Sequence, residues 1–228
     1  MRIVVNDTLV EKRAAAARRA VTLGLFLMFG AMMFSFRPPL VLPAYGIMLL
    51  GVILLNWGGR TGAKWLRKPR VDQTLGKALK GLNHGCRLYS YLLPAEHVIL
   101  SPTGLFVLKA KTQDGEISCR GEKWHRPFRL GHLLRVFSEE RLGNPGRQVQ
   151  GETEKMHRFV TSHLPDVDVP MQPLIVFVDP KATLNVAQPT VPVMPLRDLK
   201  AHLRKAAGEQ RMPRETEKAL IELFDELA

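Results

Sequence analysis

Charged side chains fall at strand-like spacing between residues 96 and 116, and their signs limit the chemistry this stretch supports. Residues 96–100 (EHVIL) and 105–111 (LFVLKAK) flank the turn sequence SPTG at 101–104, so they read as two arms of a hairpin. Pairing Leu100 with Leu105 and continuing outward puts Glu96 directly across from Lys109, within ion-pair reach. Alternation places Leu105, Val107, Lys109 and Lys111 on one face. Two ammonium groups on that face attract an anion and repel a divalent cation.

A second constellation follows. Arg120, Lys123, Arg126 and Arg129 are interleaved with Trp124 and Phe128, the mixture that lines a phosphate backbone and stacks a base. The same residues serve equally as a solvated loop or one facing lipid headgroups. Elsewhere the signals are bland. The seven His form no HExxH, the two Cys (Cys86, Cys119) form no CxxC, and the turn Gly143 to Gly146 lacks GxxxxGK[ST], so zinc, disulfide and P-loop chemistry have no motif here. Gln148, on the first turn of the helix that Asn144 and Pro145 introduce, either faces the strands or caps and solvates its own turn.

The elements that position these residues read as one α/β domain over residues 72–228. Apolar periodicity predicts a helix over 72–82, and strands over 87–93, 96–100, 105–111 and 116–120 as an antiparallel meander. A basic excursion or lid over 120–147 contains a helical stretch near 130–140. A helix over 147–163, buried strands over 174–178 and 191–194, a helix from Leu196 and a last helix over 213–227 complete a mixed central sheet flanked by helices. The C-terminal helices either close the domain or meet a protein partner.

Ahead of this domain lie two uncharged runs, residues 20–36 and 40–57, separated by Arg37, Pro38 and Pro39. Neither has the polar face a soluble amphipathic helix needs, so they read as a transmembrane hairpin. At about 1.5 Å per residue each run reaches roughly 26 Å, near the lower limit for a bilayer core. Of the 33 Lys and Arg and 21 Asp and Glu, residues 1–70 hold 11 and 2, so most of the +12 net charge flanks the hairpin. The basic segment 1–19 and the basic linker 58–71 place both termini on the cytoplasmic side of the inner membrane, as a multi-pass protein, with the bilayer as a partner. The flanks need no nucleic acid to explain them.

The stretch 96–115, followed by Trp124 and then by Asn144, Pro145 and Gln148, resembles the nuclease-related domain (NERD) family over roughly residues 72–180. That resemblance implies a restriction-endonuclease-like core, in which an Asp on one strand and Glu-x-Lys on the next bind a divalent metal, and the metal activates water against a phosphodiester. Carboxylates supply hard oxygen ligands to Mg²⁺ and the Lys orients or deprotonates the water. On this pattern Glu96 stands at the Asp position, Lys109 at the Glu position and Lys111 at the Lys position, while Gln148 matches the later NP-x-x-Q feature.

The resemblance therefore implies a site at Glu96, Lys109, Lys111 and Gln148 with one charge reversed. Three readings follow. The first is a degenerate nuclease-like domain with no metal or other cofactor, which binds DNA, RNA or another phosphate-bearing ligand through Lys111, Arg120, Lys123, Trp124, Arg126 and Arg129. The second is an active Mg²⁺-dependent nuclease that recruits Asp114 or Glu116 beside Glu96. The third is a membrane-tethered protein-interaction scaffold.

Overall fold

The computed structural model describes residues 1–82, 85–127, 142–206 and 211–227. Contacts divide the chain into two units. One is the hairpin from Asp7 to Arg70, and the other joins residues 1–6 to residues 71–127 and 141–228.

The hairpin consists of α1 (Asp7–Ser35) and α2 (Val41–Trp65), joined through Arg37 and a 3-10 turn over Pro38–Leu40. Both helices are long and apolar enough to cross a membrane. They extend beyond the expected apolar spans, so Arg13, Arg18 and Arg19 lie on the last turns before the first run, and Arg60 and Lys64 on the turns after the second. Small residues form the seam. Ala17, Ala20, Gly24 and Ala31 on α1 and Ala44, Gly51 and Gly58 on α2 are buried, and a Cβ added to Gly24 would lie 2.9 Å from the Gly51 carbonyl oxygen. Close backbone approach of this kind needs glycine. The outer surface carries Phe26, Phe29 and Leu42, all strongly exposed, as a lipid-facing surface requires.

The second unit is built on a six-stranded sheet in the order β1-β2-β3-β4-β7-β9. Its strands are β1 (Arg2–Val5), β2 (Arg87–Ser90), β3 (His97–Ser101), β4 (Gly104–Lys111), β7 (Met171–Phe177) and β9 (Val193–Pro195). β2, β3 and β4 run antiparallel, whereas β1 joins β2, β7 joins β4, and β9 joins β7 in parallel. Helices α3 (Val71–Ala78) and α5 (Leu196–Ala206) supply Leu75, Leu199 and Leu203 to the core on one face, where Ile99, Phe106 and Leu108 point. On the other face α4 (Pro145–His163) and α6 (Arg214–Glu226) supply Val149, Met156, Val160, Leu220 and Phe224 against Val98, Leu100, Leu105 and Val107. The central β4 is buried along its whole length, as a strand covered on both faces must be.

Two parts of the architecture differ from the sequence reading. The strand over 116–120 does not extend the meander. Instead β5 (Gly115–Arg120) pairs with β6 (Lys123–His125) and β8 (Ala182–Ala187) in a separate three-stranded sheet. The free edge of β4 is taken by β7, from Leu105 opposite Met171 to Lys111 opposite Phe177, so β5 has no edge there to join. The other difference is β1. Residues 2–5 (RIVV) were read as part of a basic tail, yet they form the edge strand of the sheet, with Arg2 opposite Arg87 and Val5 opposite Ser90. The helical stretch and lid expected around 130–140 lie outside the described residues.

Candidate functional site

The β3–β4 turn is tight: Ser101 pairs with Gly104, and Leu100 with Leu105. Gly104 has φ +142°, and a Cβ there would strike the Pro170 carbonyl, so glycine is required for the loop before β7 to approach. From this turn the register runs to His97 opposite Leu108. Glu96 lies one step further out, its backbone carbonyl accepting the Tyr91 N–H at 2.8 Å.

Lys109 Nζ lies 3.1 Å from Glu96 Oε1. A second carboxylate closes on the same ammonium: Lys109 Nζ donates to Glu152 Oε1 at 2.6 Å. The other Glu152 oxygen accepts the Glu96 backbone N–H at 3.4 Å. The Lys109 side chain is 7% exposed, Glu152 15% and Glu96 29%. Burial pushes the Lys109 ammonium towards neutrality, but the Glu96 charge and the Glu152 hydrogen bond outweigh it and raise its pKa above the ordinary lysine value.

Helix α4 delivers Glu152. Asn144 has extended backbone and its side chain accepts the Arg147 N–H at 3.0 Å, with Pro145 opening the first turn, a well-formed N-cap. The helix crosses back between the parallel strands β4 and β7, burying Val149, Met156 and Val160. Gln148 and Glu152, four residues apart, share one side of it. Gln148 Oε1 is buried with no hydrogen-bond partner among the described residues. Sequence reasoning missed Glu152, although its spacing of one helical turn from Gln148 was a usable signal.

The remaining expected residues distribute as follows. Lys111 is fully buried, so it does not project beside Lys109 as a solvent-facing ammonium. It is the last residue of β4, paired with Phe177 on β7. Asp114 is engaged by Arg126, whose Nε also donates to the Asp114 carbonyl at 3.1 Å. Glu116 is exposed on β5, in the second sheet. Trp124 is half-buried and packs against the core beside Phe177, with ring centroids 6.1 Å apart. Arg120 and Lys123 are exposed and directly opposite each other across β5 and β6, while Arg129 lies outside the described residues. The apolar side of α6 faces its own sheet through Leu220 and Phe224.

The described residues around Lys109 do not fit a divalent cation. Among the described residues no three His, Cys, Asp or Glu side chains converge on one point, and the space between the two nearest carboxylates holds an ammonium. Residues 69–178 match the family described as NERD, the nuclease-related domain. No curated protein and no solved structure matches the chain.

Proposed function

We propose that this chain, which carries a nuclease-related domain over residues 69–178 behind two helices able to cross a membrane, keeps the nuclease-like fold without its metal chemistry. It holds nucleic acid or another phosphate-bearing ligand at the cytoplasmic membrane face. The observation that carries this reading is Lys109 Nζ lying between Glu96 and Glu152 at 3.1 and 2.6 Å. A carboxylate pair bridged in this way by an ammonium has no free oxygen set for Mg²⁺. Phosphate contact falls to the exposed cations, Arg120 and Lys123 foremost.

Location rests on connectivity. Residues 2–5 pair with residues 87–90 in one sheet, and the hairpin lies between them in sequence. This pairing supports a topology in which both ends of the hairpin emerge on the same side of the bilayer. The basic flanks support the cytoplasmic face of the inner membrane as that side, because Lys and Arg are retained there.

The test uses the full chain in detergent, since residues 1–6 complete the sheet. Supercoiled plasmid with Mg²⁺ is expected to remain uncut, wild type and E96A alike. Binding of a labelled duplex is expected to weaken steeply with salt. Mg²⁺-dependent nicking that disappears in E96A or E152A overturns the reading, and salt-independent or absent duplex binding overturns its nucleic-acid part.

A further inference from the structure

Three separate elements meet at one cation. Glu96 enters from the turn before β3, Lys109 from β4 and Glu152 from α4, with Lys109 and Glu152 43 residues apart in sequence. We propose that Glu96 and Glu152 form a two-carboxylate cradle in which Lys109 Nζ is a tethered substitute for a divalent ion, so that removing the ammonium opens a divalent-metal site. The inference rests on the reading of this domain as a nuclease-like fold without metal chemistry, and it concerns the same site.

Charge is the first argument. Two carboxylates meet at one ammonium, 3.1 and 2.6 Å away, and a divalent ion would satisfy the same pair. Without any cation, the two carboxylates would repel each other in a partly buried setting. Geometry is the second. The ammonium contacts of 2.6 and 3.1 Å exceed metal–oxygen distances of about 2.0–2.5 Å by roughly half an ångström to one ångström, a shift within the reach of two Glu side chains.

Orientation is the third. Glu152 stays aimed at the site without the lysine, because its second oxygen accepts the Glu96 backbone N–H. Finally, Glu96 is 29% exposed, so water reaches the remaining coordination positions. Mg²⁺ and similar ions commonly bind through one or two carboxylates and several waters. A tethered ammonium fills this place at every metal concentration and in the presence of chelators.

The experiment compares the full chain as wild type, K109Q and K109A, with K109Q/E152Q and K109Q/E96Q as controls, using Mn²⁺ as the probe. Calorimetry or electron paramagnetic resonance measures Mn²⁺ binding, and thermal unfolding is followed with Mn²⁺ or with EDTA. Wild type is expected to bind no Mn²⁺ saturably and to melt at the same temperature in both. K109Q or K109A is expected to melt lower in EDTA, to recover with Mn²⁺ and to bind a single ion. Loss of either carboxylate should weaken that binding at least about tenfold.

Folded lysine variants that bind no Mn²⁺, or binding indifferent to both Glu96 and Glu152, overturn the cradle. So does failure of both K109Q and K109A to fold even with Mn²⁺. These results leave the functional reading intact, whereas Mg²⁺-dependent nicking by the wild type overturns that reading by itself.

Discussion

At Lys109 burial and two carboxylates act in opposite directions on one ammonium, and the carboxylates win. Folding therefore raises the lysine pKa, and the folded state holds that proton more tightly than the unfolded chain. The stabilisation is complete below the ordinary lysine pKa and is lost as pH rises through the raised one. K109M should destabilise the full chain by about 2–3 kcal/mol, below the range for a fully buried pair because Glu96 is partly exposed. Denaturant melts should show this difference unchanged from about pH 7 to 9 and shrinking at higher pH. Residues 120–124 separate binding from packing. R120E/K123E should reduce the slope of log affinity against log salt by about 2 without changing the melting temperature. W124A should instead lower stability by about 2 kcal/mol, because the indole fills core against Phe177.

Among the elements, β1 is the least expected. Asp225 on α6 accepts from Arg2 at 2.8 Å, Arg87 at 2.7 Å and Tyr89 at 3.0 Å, so one carboxylate ties β1 and β2 to the last helix. Burial, and then the hydrogen bond to Asp225, push the Tyr89 hydroxyl up to about 12. Ile3 reaches over Gly76 on α3, and Val4 joins the core on the opposite face. D225A should release the strand first. Amide exchange at Ile3 to Val5 should accelerate about tenfold or more, while β4 keeps its protection, which mass-resolved hydrogen exchange would read. In the hairpin, G24L should force α1 from α2, since even a Cβ there meets the Gly51 carbonyl and Leu55 at 2.9 Å. Its melting temperature in detergent should fall.

For the whole molecule, one sheet receives strands from before and after the hairpin, which ties orientation to folding. Truncation to residues 71–228 removes β1 and leaves β2 as an open edge, a site for unwanted pairing. The connectivity also makes a labelling prediction. Cys86 and Cys119 are buried, so single added cysteines report against a low background. Cysteines at Asp7 and Leu227 should react from the same side of a vesicle, and one at Arg37 only from the other. Labelling of Asp7 and Leu227 from opposite sides would exclude this topology.

What the sequence determined by itself was local. A turn plus two-residue alternation set the β3–β4 register, and with it the meeting of Glu96 and Lys109, because hairpin pairing is dictated by neighbours in the chain. Uninterrupted apolar runs marked the two long helices for the same reason, as length and hydropathy need no partner to be read. Tertiary structure alone decided what each face meets: Glu152 arriving on α4, Lys111 buried, Trp124 half-buried beside Phe177, β7 displacing β5 from the edge of β4, and residues 2–5 returning to the sheet. Periodicity says which way a side chain points. What it then meets depends on how distant segments pack together, and that is settled only when the whole chain closes on its core.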